Sequence, residues 1–124
     1  MFLGRPALRD PNSDTVVRVR AVSFKADILA EVQLLPTEKG GRRVPTPADK
    51  FGCPVGIGGE FFDMRIDLSS VGSLSPGQTA RVPMAFLRPD FVLPLLHVGS
   101  EFSLWEMRTI GHGRVIEIYA NNAA

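Results

Sequence analysis

The chain has 124 residues and a mass of 13.5 kDa; 44% of the residues are apolar and 22% charged, and fourteen basic against thirteen acidic side chains leave a net charge of +1. That length suits one domain, the composition excludes a disordered tail, and no apolar run approaches the ~20 residues that would cross a bilayer. So weak a net field gives no ground by itself for a nucleic-acid or membrane partner.

Twelve glycines and ten prolines favour many short elements joined by turns, which points to an all-β chain. Residues 1–15 read as an N-terminal arm, because Pro6, Asp10, Pro11, Asn12, Ser13 and Asp14 are loop formers. The arm lacks the continuous apolar stretch and small-residue cleavage site of a secretory signal. Residues 16–124 are expected to form a single barrel domain. Val16 to Phe24 alternates Val17, Val19 and Ala21 against Arg18 and Arg20, the two-residue period of a strand. Asp27 to Leu35 does so more clearly, with Ile28, Ala30, Val32 and Leu34 on one face and Glu31 and Gln33 on the other. Gly56-Ile57-Gly58-Gly59 is read as a turn, since no helical pattern follows it as a dinucleotide-binding loop would require.

Glu60 to Leu68 sorts Phe62, Met64, Ile66 and Leu68 from Asp63, Arg65 and Asp67. Ser75-Pro76-Gly77-Gln78 has the proline and glycine that a type II turn demands. Thr79 to Leu87 is a strand with Ala80, Val82, Met84 and Phe86 inward, and Pro83 argues for an edge or bulge within it. Pro89 to Val98 is apolar, but Pro94 excludes a regular helix, so a short broken strand across the barrel end is expected. Phe102 to Met107 and Arg114 to Tyr119 complete the set, with Ile116 and Ile118 sharing a face. Short strands separated by turns at intervals of ~8–12 residues indicate a sandwich or small barrel, and closure removes exposed edges.

Several motifs resemble the C-terminal β-barrel, domain 3, of translation elongation factor Tu. They are Leu35-Pro36-Thr37-Glu38-Lys39-Gly40-Gly41-Arg42 followed by Pro45, Ser75-Pro76-Gly77, Phe86-Leu87-Arg88-Pro89, and Arg108-Thr109-Ile110-Gly111-His112-Gly113. Order and spacing agree over about residues 27–118. Phe51-Gly52-Cys53-Pro54, Asp63-Met64-Arg65 and Leu74 to Thr79 further resemble small stand-alone bacterial proteins carrying only this barrel. The resemblance implies a six-stranded closed antiparallel Greek-key barrel. It also implies a non-catalytic module that binds a protein partner, a translation component or a toxin, through loops at one rim. It does not imply GTP binding, for the chain has no phosphate-cradling Gly-x-x-x-x-Gly-Lys-Ser/Thr run. Two departures bear on tRNA: Phe51 to Val55 lacks the family's arginine and aromatic run, and the Glu-Gly-Gly-Arg turn is shortened to Glu106-Met107-Arg108.

The candidate macromolecule-binding residues are Lys39, Gly40, Gly41, Arg42, Arg43, Lys50, Trp105 and Arg108. Basic side chains beside permissive backbone neutralise phosphates, so an RNA or tRNA surface is the alternative function. A solvated loop whose glycines merely make a turn is the simpler reading, as Glu38 and Asp49 dilute the charge. Arginine supplies eleven of the fourteen basic residues, a bias that suits bidentate contacts at an interface. Trp105, Phe61 and Tyr119 are expected opposite the core, either open to a partner or covered by the arm or the Pro89–Val98 crossing.

No cofactor or metal is expected. The lone Cys53 forms no intrachain disulfide, so the cytoplasm is the expected compartment, and as a thiol nucleophile with His97 or His112 it lacks any flanking signature. It reads instead as a small hydrophobe before Pro54. Asp63 and Asp67, with Arg65 between them, read as a solvated strand face rather than a carboxylate pair.

Overall fold

The computed structural model describes residues 24–119. The arm, and all of the Val16–Phe24 segment except Phe24 itself, lie outside the described residues. Six strands account for most of the rest: β1 (Ile28–Leu34), β2 (Lys50–Ile57), β3 (Glu60–Asp67), β4 (Thr79–Phe86), β5 (Glu101–Trp105) and β6 (Thr109–Ile118). Neighbours are antiparallel throughout, and the order β1-β4-β3-β2-β5-β6 closes with β6 against β1. β2, β3 and β4 are successive neighbours, while β1, joined to β2 by the long 35–49 connection, lies beside β4; this is a Greek key. The expected closed six-stranded barrel is therefore present.

The alternation that marks the strands also builds the core. Ile28, Ala30, Val32 and Leu34 from β1, Met64 and Ile66 from β3, and Val82, Met84 and Phe86 from β4 all point inward and are buried. Each fully buried Val, Leu or Ile contributes roughly 1.5–3 kcal/mol, so a one-residue slip would turn a whole face to water. Pro83 sits opposite Leu29 of β1, and the β3 ladder stops at Met84, so its missing N–H falls where pairing on that side ends.

β6 departs from the expected phase. Ile28 pairs with Ile118 and Ala30 with Val115, so Leu29 faces two residues, and a bulge lies at Ile116–Glu117. The bulge puts Val115 in the core and leaves Ile116 half-buried, whereas Ile118 still packs against the core. Ile116 and Ile118 therefore do not mark one inward face, as two-residue counting had them.

Two further expectations are corrected. β2 alternates in burial with Phe51, Cys53 and Val55 inward, and Gly56 and Ile57 belong to it, leaving only Gly58 and Gly59, both with positive φ, as the turn into β3. The Pro89–Val98 segment is not a broken strand. It forms one helical turn, α1 (Pro89–Val92), running into a 3-10 turn over Leu93–Leu95. Pro89 and Pro94 each stand at the start of a turn, where the missing N–H has no intrahelical partner to lose. Among the described residues no helix is long and apolar enough to cross a membrane.

Strand direction divides the connections between two rims. One rim gathers the 35–49 loop, the 68–78 loop and the 106–108 turn. The opposite rim carries Gly58-Gly59, the 87–100 connection, and the places where the chain enters β1 and leaves β6. Asp27 closes that second rim: its amide donates to the Met84 carbonyl at 2.8 Å, its carboxylate accepts from the Phe86 amide at 2.8 Å, and its carbonyl accepts from the Tyr119 amide at 3.0 Å.

Candidate interaction rim

The loop-bearing rim is organised around the end of β1. The Leu34 amide donates to the Gln78 carbonyl at 3.0 Å, its carbonyl accepts from the Gly77 amide at 3.0 Å, and the Leu35 amide donates to the Ile110 carbonyl at 2.8 Å. The 68–78 loop and the start of β6 are thus tied to two consecutive residues, at the point where the 35–49 loop begins. Gly77 has φ 87, and the Gln78 amide donates to the Ser75 carbonyl at 2.9 Å, as the expected Pro-Gly turn requires. Thr46 is buried: its amide and hydroxyl hold the Leu74 carbonyl and amide, each at 2.9 Å.

The glycine pair has two distinct causes. Gly40, at φ 94, ends the 3-10 turn Thr37–Lys39 in a left-handed conformation that costs a larger residue. Gly41 instead permits a close approach: a Cβ there would lie 2.0 Å from the Leu35 carbonyl oxygen. Both glycines thus have a local backbone cause.

The arginines have the same inward assignment. Arg42 places one guanidinium nitrogen 2.8 Å from both carboxylate oxygens of Glu106, and its Nε donates to the Val44 carbonyl at 3.2 Å. Its guanidinium also lies over the Phe51 ring, 5.1 Å from the centroid. Arg108 donates from Nε to the Gly40 carbonyl at 2.7 Å and from Nη2 to the Gly41 carbonyl at 3.3 Å. The 35–49 loop and the 106–108 turn are therefore clamped to each other by two arginines crossing in opposite directions. Lys39, Arg43 and Lys50 remain exposed, with Lys50 opening β2 opposite Asp67. Of the candidate set, Arg42, Arg108 and the glycines build the rim, and Lys39 and Arg43 are displayed on it.

The turn tip carries a residue that sequence reasoning had not singled out. Met107 is 88% exposed and, among the described residues, is the one non-glycine with positive φ, at 61°. The Glu106 amide donates to the Arg108 carbonyl at 2.8 Å across it, and the Arg108 bonds hold the turn from below. An apolar side chain is thus presented on a strained, fixed backbone, a conformation unusual for a residue without a short polar side chain. Val44, 58% exposed, lies next to the loop clamp. The only hint of this in the sequence is an apolar residue between Glu106 and Arg108 where turns favour glycine.

Trp105 is half-buried on the outer wall, its ring 5.2 Å from that of Phe61 at 46°. Cys53 is buried on the core side of β2. Burial pushes its thiol up from 9.0 to about 12, against an opposing hydrogen bond with the Trp105 backbone. His112 lies on the outer face of β6, and His97 sits in the opposite rim with Nδ1 3.0 Å from the Val98 carbonyl, so neither histidine is set as a base for this thiol. Among the described residues no three His, Cys, Asp or Glu side chains gather as a metal site would need. Neither a protein-family model nor a curated protein matches this chain, and the likeness to the third domain of elongation factor Tu rests on the sequence motifs alone.

Proposed function

We propose that this chain is a non-catalytic interaction module, resembling domain 3 of elongation factor Tu, that binds a protein partner through the rim carrying residues 35–49 and 106–108. The observation that carries this reading is the arrangement around Met107. Two arginine clamps hold the turn rigid, and its most exposed side chain is apolar. Rigid apolar tips lose little entropy on docking, and methionine adapts to the pocket that receives it. Lys39 and Arg43, exposed on the 35–49 loop that Arg108 ties to this turn, supply polar side chains to the same rim, as the margins of protein interfaces usually do. The motif resemblance favours a translation component, or a toxin directed at one, as the partner. A thiol pushed up to about 12 is protonated at neutral pH, which supports the non-catalytic reading.

The RNA or tRNA alternative is weakened by the engagement of Arg42 and Arg108, whose guanidinium groups bond to Glu106 and to loop carbonyls. The test is an affinity capture from lysate with quantitative mass spectrometry, using the wild type and Met107→Glu. A defined protein retained by the wild type and lost from the variant is expected. Retention of RNA that weakens steeply with salt and is lost in Lys39→Ala/Arg43→Ala would establish the alternative instead. Recovery of no defined partner would overturn both.

A further inference from the structure

The outer wall of the barrel carries a second arrangement, running from the loop-rim ends of β4 and β1 to the opposite-rim ends of β2 and β3. Strand register sets Thr79 of β4, Gln33 of β1, His112 of β6, Ser103 of β5, Gly56 of β2 and Phe61 of β3 side by side in one outward row. Most of this row lines a depression of about 600 Å³. Gly56 forms its floor at one end. A Cβ there would lie 2.5 Å from the Ser103 hydroxyl oxygen and 3.4 Å from the Phe61 ring, so hydroxyl and ring close over the glycine. Phe61 is 57% exposed and leans on Trp105, which makes an aromatic shelf at the edge of a polar trough.

The chemistry of the row selects a ligand class. A glutamine amide and two hydroxyls each both donate and accept hydrogen bonds, and an imidazole adds two ring nitrogens. Among the described residues, the side chains of Gln33, Thr79, Ser103 and His112 bond to no other protein group. A phosphate needs donors alone and an ammonium needs acceptors alone, whereas a hydroxyl needs both. The adjoining row is electrically balanced. Arg81, Glu31, Arg114 and Glu101 alternate in sign across β4, β1, β6 and β5, and Arg114 pairs with Glu31 at 3.1 Å. Of these four, Glu31, Arg114 and Glu101 line the depression itself, so its lining disfavours an anionic ligand. The aromatic shelf complements the C–H face of a sugar ring, apolar on one side and hydroxyl-edged around its rim.

We propose that this wall binds a neutral oligosaccharide, one ring lying on Phe61 and Trp105 and its hydroxyls meeting Ser103, His112 and Gln33. The site does not include the Met107 tip and does not rest on the partner proposed for it. Trp105 is the sole tryptophan, so its fluorescence reports occupancy directly.

The experiment titrates the full chain with short neutral oligosaccharides of glucose, mannose, galactose and N-acetylglucosamine, and with heparin as a charged probe. The expected result is a saturable blue shift with at least one neutral sugar at millimolar concentration or below, with amide shifts at Gln33, Ser103 and His112 by NMR. Phe61→Ala is expected to weaken binding by about tenfold, the loss of one aromatic contact. Gln33→Ala and His112→Ala, both at exposed positions, are expected to weaken it without unfolding the chain. No response to any neutral sugar would overturn the proposal. So would a response to heparin alone, a response undiminished in all three variants, or amide shifts confined to the loop rim.

Discussion

Single atoms decide several positions in this barrel. Gly113 has ordinary strand geometry, yet a Cβ there would lie 2.4 Å from the Phe102 ring. Phe102 fills the core because Gly113 leaves room for it. Gly113→Ala is expected to destabilise the fold by about 1–3 kcal/mol in urea denaturation, and adding Phe102→Leu is expected to recover part of that loss. Met107 is the opposite case, a side chain retained where the backbone favours none. Met107→Gly is expected to raise stability by about 0.5–1 kcal/mol while weakening partner capture, a combination that a purely structural turn would not show.

Cys53 illustrates burial acting on chemistry. Its thiol should alkylate far more slowly in the folded protein than in a short peptide. The folded value, about 12, is above the ordinary 9.0, so the unfolded thiol ionises first as pH rises. The stabilising advantage of a neutral buried thiol is complete below pH 9.0 and is lost between there and about 12, by up to ~1.4 kcal/mol per pH unit. Comparing wild type with Cys53→Ala in urea at about pH 8 and about pH 10 checks this, because the difference between them should shrink at the higher pH.

At the level of elements, the rim is held by reciprocal clamps rather than by strand pairing. The Arg42 side chain is 17% exposed and that of Glu106 36%, so the pair is partly shielded from water and salt. A double-mutant cycle with Arg42→Met and Glu106→Gln is expected to give a coupling of about 1 kcal/mol, at the upper end for partly exposed pairs. Either single change should speed amide hydrogen exchange across residues 39–44, since that loop has few other ties to the 106–108 turn. The strands themselves were legible wherever one face is wet. β1, β3 and β4 follow their alternation almost to the residue, because a half-buried antiparallel strand must separate apolar from polar side chains. β2 was not legible from its pattern. Gly52, Pro54 and Gly56 put no charged side chain on its outer face, so the polar half of the usual alternation is missing although Phe51, Cys53 and Val55 point inward. β6 misled because its bulge shifts the inward phase between Val115 and Ile118.

For the molecule as a whole, closure is uneven. β1 pairs along its full length with β6, but β2 meets β5 only at Val55–Leu104 and Gly56–Ser103, and β3 meets β4 only from Met64 to Ile66. Local opening should start at the thin seams, where few backbone bonds must break. Native-state hydrogen exchange is therefore expected to show the greatest protection in β1 and β6 and the least in the first half of β2. Strong exchange in β1 before β2 would contradict a barrel held mainly by its β1–β6 pairing.

The sequence by itself determined the class of fold, the inward faces of β1, β3 and β4, the Pro-Gly turn and the core role of Cys53, because period, turn chemistry and burial preference are local properties. The roles of the loop arginines were decided only in three dimensions. Arg42 and Glu106 are far apart along the chain, and charge counting cannot distinguish a guanidinium turned inward to a carboxylate from one offered to a partner. Closure likewise created the outward row from Thr79 to Phe61, whose members come from six different strands and share no motif. A surface assembled by register exists only once the cylinder has closed.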